Sequence, residues 1–387
     1  MSDHTMFLDF GLFSINWYGL MMGVTVLLTA GLYVLLRRRQ GENAENSLTT
    51  ALIAMPAALV GARVFYCWFA KALFAGGVIE MMNLLTGGYA LYGALLGILP
   101  VISARGLRGG KSLPAMLDAV CPPLSFAIAA EKWAGLINGS DIGFSVSAPW
   151  VQRFPFSLLS AADQTYYLWV GFFEGLTAAI LCAALAAVFL TQYPQGRSGT
   201  RRGDVTLLFM MGYGFSQSFW ESMRDDSLFM VTLGFVRINQ IISIVMAAAA
   251  LILLMVRRGR RKGVSAADIG LWTLCGAALA LAVYCEFTMN AVSMTRNYIL
   301  LAVSLSSMLT AGVLLLVESR RHTADERSSA LPDRKRLGDT QSGQNTPTDP
   351  ADGAADGAAD GAADGAADGF APIDVDGLDL DELKSLR

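Results

Sequence analysis

Gln217, Glu221 and Arg224 lie near the end of one long apolar run, spaced i, i+4, i+7, so on a helix they share one face. A carboxylate and a guanidinium at the end of a membrane helix are costly unless they serve a site, where they hold charge and hydrogen-bond a polar group. The plainer reading is a structural Glu221–Arg224 ion pair. Further along, Arg237, Gln240 and Ser243 recur every three residues and face one side, as ligand contacts or as polar glue between helices.

Other chemistry-bearing residues sit on the preceding apolar runs. Arg63 follows Gly61-Ala62, and Tyr92 lies within the glycine-rich stretch Gly87–Gly97. That stretch lets backbone approach closely, or serves as a plain packing seam. Tyr18 opens the first run beside Trp17, where an aromatic interface anchor is the ordinary explanation. Asp118, Glu131, Lys132, Asn138 and Asp141 lie on or after the fourth run, with Gly143 just beyond. Glu131 and Lys132 fit either a cavity or a hydrated interface.

Positioning these groups requires a bundle in the membrane. The chain has 387 residues, 54% hydrophobic and 16% charged, with a mean hydropathy of +0.46. Apolar stretches long enough to cross about 30 Å of hydrocarbon recur along it, which predicts an all-α polytopic membrane protein. The five cysteines fall in apolar segments without CxxC pairing, so disulfides and a zinc site are not expected. The two histidines, His4 and His322, lie outside the apolar body, so neither a membrane-embedded histidine base nor a histidine-held metal is expected. No cofactor and no nucleic-acid partner is implied.

Nine spans are expected, at about 15–36, 52–73, 89–104, 113–137, 166–190, 204–226, 234–256, 269–287 and 298–317. The fourth carries Pro122-Pro123 and is expected to be broken there, as in helices that line cavities. No basic residue precedes the first span and Arg37-Arg38-Arg39 follows it, so it does not read as a cleavable signal peptide. The remaining clusters, Arg105/Arg108/Lys111, Arg197/Arg201/Arg202, the RRGRRK run from Arg257 and Arg320-Arg321, then fall on one side. By the positive-inside rule the N-terminus faces outward and the C-terminus lies in the cytoplasm.

The organisation expected is a seven-span core over residues 1–257, an added transmembrane hairpin over 258–321, and a disordered cytoplasmic tail over 322–387. The tail contains a DGAA repeat, whose four-residue acidic Gly-Ala period cannot bury a core. Its last residues alternate acidic and apolar types and are a candidate docking peptide for a cytoplasmic partner.

In order, WYGLMMG (Trp17–Gly23), PAALVGARVFY (Pro56–Tyr66), GGYALYGALLG (Gly87–Gly97), LDA (Leu117–Ala119), WAGLINGSDIG (Trp133–Gly143), GDVTLLF (Gly203–Phe209), YGFSQSFWESMRDDSL (Tyr213–Leu228) and RINQIISI (Arg237–Ile244) resemble the prolipoprotein diacylglyceryl transferase family of bacterial inner membranes. The resemblance covers about residues 10–257. It implies a seven-span transferase-like core, here with two extra transmembrane helices. It implies transfer of a diacylglyceryl group from phosphatidylglycerol to the lipobox cysteine of a prolipoprotein signal peptide, with glycerol phosphate leaving. Tyr18, Tyr92 and Glu221 are the catalytic candidates it implies, and Arg63, Lys132, Asn138, Gly143, Arg224 and Gln240 the substrate-binding ones, with Glu221 orienting Arg224.

The family's Gly-Arg-x-Gly-Asn signature reads Glu131-Lys132-Trp133-Ala134-Gly135 here. Ser140 stands for a glutamate, Gln217 for an arginine, and Tyr92 where many members have histidine. A second reading is therefore a catalytically impaired paralogue that binds phospholipid or lipoprotein and recruits a cytoplasmic partner. A third, a transporter coupled through Glu174, Glu221 and Glu286, finds no internal repeat to support it.

Overall fold

In hydrocarbon every backbone N–H and C=O must find a partner inside its own segment, so the apolar runs fold as helices. In a computed structural model, residues 6–330 are described except 10–13, 72–73, 75–76, 84–86, 110–111, 161, 194–201, 226, 230–236 and 289–293. Lys111, Arg197, Arg201, Asp226, the DGAA repeat and the terminal acidic-apolar segment lie outside the described residues. The chain divides into Met1–Ser328 and Ser329–Arg387; all that follows concerns the first unit.

The helices are α1 (Trp17–Arg39), α2 (Ala44–Phe69), α3 (Val78–Met82), α4 (Leu91–Arg108), α5 (Leu113–Asn138), α6 (Val170–Gln192), α7 (Asp204–Glu221), α8 (Ile238–Lys262), α9 (Ala266–Phe287) and α10 (Met294–Ala330). Among the described residues, eight of them are long and apolar enough to cross a membrane. The ninth expected span is α7, 18 residues long, whose Asp204, Gln217 and Glu221 lower its hydropathy. This is an integral membrane protein of helical class.

Five short strands supplement the helices: β1 (Met6–Asp9), β2 (Ser14–Asn16), β3 (Ile142–Ser145), β4 (Ser157–Leu159) and β5 (Tyr166–Trp169). β1 and β2 pair antiparallel, and β3, β5 and β4 form a second antiparallel sheet in that order. The fifth span therefore starts at Val170 rather than Tyr166. Its first four residues, Tyr-Tyr-Leu-Trp, are good strand formers and pair with Leu159–Ser157 instead.

The break expected at Pro122-Pro123 is corrected: α5 runs unbroken through both prolines. Each proline removes one rung of the helix ladder, but α5 packs against α1, α4, α6 and α7, which support it as one continuous helix. Cys182 of α6 donates its thiol to the Pro122 carbonyl, 3.3 Å away.

Small residues set the helix spacing elsewhere. α2 and α4 meet at Gly61, Gly93 and Gly97, where a Cβ on Gly61 would stand 3.0 Å from the Gly97 Cα. The glycine-rich stretch is thus a packing seam, the motif by which membrane helices approach closely. One core cluster joins Tyr33, Ala119, Ile128, Leu185, Phe189, Phe209 and Tyr213 at the centre of the bundle. A second joins α7 and α8 to the hairpin through Met211, Phe215, Leu251, Cys285, Leu301 and Met308. The hairpin is knitted further by Arg258 with Asp268 and Glu318, and by Arg320 with Asp204 and Gln192.

The arginine-rich end of the bundle is organised around Asp118 of α5, which is fully buried. Its carboxylate accepts from the Gln192 amide at 3.1 Å, the Tyr193 hydroxyl at 3.0 Å, the Gly203 N–H at 2.7 Å, and the Thr206 N–H and hydroxyl at 2.9 and 2.8 Å. These include donors at the start of α7 that no helical carbonyl can satisfy. Asp118 thereby serves as a cap supplied from another helix.

Candidate functional site

At the opposite end, the C-terminal turns of α5 and α7 meet the N-terminal turns of α6 and α8. Lys132 of α5, 7% exposed, forms ion pairs with Asp141 at 2.8 Å and with Glu174 of α6 at 2.9 Å, and lies 3.8 Å from half-buried Glu131. Arg224, just past α7, reaches the same two carboxylates, Asp141 at 2.7 Å and Glu174 at 3.5 Å. Two cations and two carboxylates thus close a buried quartet. Burial alone would raise the Asp141 carboxyl, but Lys132 and Arg224 outweigh it and hold it below the ordinary carboxylate range.

The quartet extends along the face anticipated for α7. Gln217 donates to Glu174 at 2.9 Å and to Glu221 at 3.2 Å, so one amide bridges two carboxylates. Glu221 is fully buried and also accepts from the Asn239 amide of α8 at 3.2 Å. Buried polar groups must be satisfied this completely to be tolerated. The carboxylates that orient Arg224 come from Asp141 and Glu174, while Glu221 is held by two neutral amides.

The other expected residues divide into those near this network and those set apart. Tyr92 is buried and shares a hydrogen bond with Ser243 of α8; Gln240 donates to the Ser218 carbonyl of α7 at 3.2 Å. The first ties α4 to α8 and the second α8 to α7. Gly143 of β3 pairs by its backbone with Arg224, and the Asp225 N–H donates to the Ile142 carbonyl at 3.1 Å. Tyr18 is half-buried on the first turn of α1. Asn138 ends α5 with an exposed side chain. Arg63 is spent locally: it donates to the carbonyls of Met81 at 2.9 Å, Gly88 and Glu80 at 3.2 Å each, and Gly87. It anchors the connector between α2 and α4.

Gly135 fits this arrangement rather than merely lacking a side chain. A Cβ there would stand 2.6 Å from the Ser140 hydroxyl and 3.0 Å from an Asp141 carboxylate oxygen. Asp141 is pinned by two ion pairs and has little room to yield. Gly135→Ala is expected to destabilise the protein by about 1–3 kcal/mol through overpacking, read as a fall in Tm in detergent.

A model of the prolipoprotein diacylglyceryl transferase family matches residues 5–256. The chain belongs to that family. Relatives named phosphatidylglycerol–prolipoprotein diacylglyceryl transferase include one from Clostridium kluyveri, 26% identical over 256 residues, covering 66% of this chain and 96% of the relative. One from Limosilactobacillus reuteri is 29% identical over 252 residues, 64% of this chain and 89% of the relative. One from Bacillus velezensis is 28% identical over 254 residues, 64% and 90% respectively. The family match ends within α8, so α9 and α10 lie beyond it.

Sequence reasoning placed the transferase-family site at Glu221, Arg224 and Lys132 but gave Glu174 no part in it. The signal was available: a carboxylate inside an apolar run demands a cation, and the preceding span carries one in Lys132. Asn239 carried no such signal, because an amide at a helix start has many ordinary uses.

Proposed function

We propose that this chain transfers a diacylglyceryl group from phosphatidylglycerol to the lipobox cysteine of prolipoproteins in the bacterial cytoplasmic membrane, with its N-terminus outside and its C-terminus in the cytoplasm. The observation that carries this reading is the pair of cations, buried Lys132 and half-buried Arg224, held side by side at one end of the bundle by Asp141 and Glu174. A phosphodiester in a low-dielectric site needs such preorganised positive charge, and more so as its leaving oxygen gains charge.

In the reaction the cysteine sulfur forms a bond to the terminal glycerol carbon of the diacylglyceryl group. The bond from that carbon to phosphate oxygen breaks, and glycerol phosphate departs with the electron pair. The thiol proton passes to a base, for which Glu221 is the assigned group because its carboxylate is held by amides and not by a cation. Tyr92 and Tyr18 hydrogen-bond the reacting groups, and Lys132 and Arg224 hold the phosphate.

One observation favours a second reading. Both cations already have carboxylate partners, so an anionic headgroup must compete with Asp141 and Glu174. A paralogue that binds phospholipid or lipoprotein without turnover, and recruits a cytoplasmic partner through its acidic tail, would have this balance.

The test is expression in a bacterium depleted of its own transferase, following one lipoprotein by gel mobility. The expected result is a restored mobility shift. Absence of the shift, with the protein folded and inserted, would overturn the transferase reading in favour of the binding paralogue.

A further inference from the structure

We propose that Tyr298, on the hairpin beyond the family match, is a positioning residue that clamps the backbone junction carrying Gly143 and Arg224. Among the described residues, β3 meets the segment after α7 through the isolated Gly143–Arg224 bridge and the Asp225 N–H to Ile142 carbonyl bond of 3.1 Å. An isolated bridge of this kind has little cooperativity of its own. Yet it sets where the Arg224 backbone stands, and hence how its guanidinium meets Asp141 and Glu174.

Tyr298 touches both sides of that junction at once. Its hydroxyl donates to the Ser222 carbonyl at 3.2 Å, two residues before Arg224. Its ring stacks on Phe144, next to Gly143, with centroids 6.0 Å apart and planes at 22°. A tyrosine inside a bundle needs some partner for its hydroxyl. Here the hydroxyl and the ring choose partners on opposite strands of one bridge. The hairpin is fixed at the same level by Glu286 of α9, which receives Arg237 at 2.7 Å from the start of α8. Arg237 in turn bridges by its backbone to Phe229, and the Ile238 N–H donates to the Leu228 carbonyl at 3.0 Å. Ser222 after α7 and Arg237 before α8 are thus both held by residues of the hairpin.

The clamp is a matter of geometry; its effect on turnover rests on the transferase reading above, so two readouts are needed. In the full chain in detergent, Tyr298→Phe keeps the ring and loses the hydrogen bond, while Tyr298→Ala loses both. Leu274→Ala, on the exposed face of α9, is the control. Hydrogen exchange at the Asp225 amide is expected to quicken at least about tenfold in Tyr298→Ala, less in Tyr298→Phe, and to stay unchanged in the control. If the wild type lipidates, KM for phosphatidylglycerol should rise about tenfold in Tyr298→Ala, with kcat less affected, since the displaced group is a binding cation.

Unchanged exchange at Asp225 in both variants would overturn the clamp, even if overall Tm falls. Should Tyr298→Ala fail to fold, the exchange in Tyr298→Phe decides alone. A wild type that does not lipidate defeats the transferase reading and leaves the exchange measurement to judge the clamp.

Discussion

Lys132→Met is expected to abolish lipidation and to lower stability together. The substitution keeps length and volume but takes one of the two cations shown pairing with both Asp141 and Glu174, which are buried, and leaves them Arg224. Removing one partner from a buried ion-pair network costs about 3–5 kcal/mol, because the remaining charge is left uncompensated. Loss of one preorganised charge at a developing anion costs about 100-fold or more in rate. Thermal unfolding in detergent reads the first and an initial-rate lipidation assay the second. Lys132→Arg separates them: it retains the charge and is expected to keep stability near wild type with measurable lipidation. A Lys132→Met protein as active as the wild type would remove Lys132 from the site altogether.

The second large effect is expected at the other end of the bundle. Asp118→Ala deletes one carboxylate and strands the five donors that it accepts, two of them backbone N–H groups at the start of α7. Each buried donor left unmet costs about 1–3 kcal/mol. These terms do not add fully, because loosened groups recover some hydration. A total loss of at least about 4 kcal/mol is expected, enough to unfold many proteins of ordinary stability. Asp118→Asn keeps an acceptor oxygen and should recover part of the loss. Since Asp118 lies at the far end from Lys132, whatever folded Asp118→Asn protein survives should lipidate with unchanged KM.

Much of this was legible in residue order. Apolar runs and arginine clusters gave the helices within a few residues at most ends, because desolvation leaves the backbone no alternative in lipid. The i, i+4, i+7 spacing picked out Gln217, Glu221 and Arg224, which the structure joins to one polar network through Glu174. The partners were less legible. Helical spacing pairs Glu221 with Arg224, yet Arg224 lies beyond the last turn of α7 and takes Asp141 and Glu174 from other elements. Such pairings depend on tertiary proximity, which periodicity does not encode. Pro122-Pro123 misled for a related reason: proline's local cost was visible, while the neighbouring helices that keep α5 continuous were not. The small β3-β5-β4 sheet was hidden because Tyr166–Trp169 is apolar enough to continue into the span that follows.

The modest hydropathy of α7 bears on how the protein is made. An ionised residue at the centre of a helix adds about 2.5–3.5 kcal/mol to the cost of insertion, and the polar groups of α7 weaken its own claim on the bilayer even near its ends. Its partners precede it in synthesis. Lys132 and Glu174, 2.9 Å apart in the fold, lie on α5 and α6 and precede Gln217 in the chain, as Asp118 precedes Gly203 and Thr206. The segment is therefore expected to enter the membrane with the help of its neighbours, since a carboxylate from α5 meets one end of it and one from α6 the other.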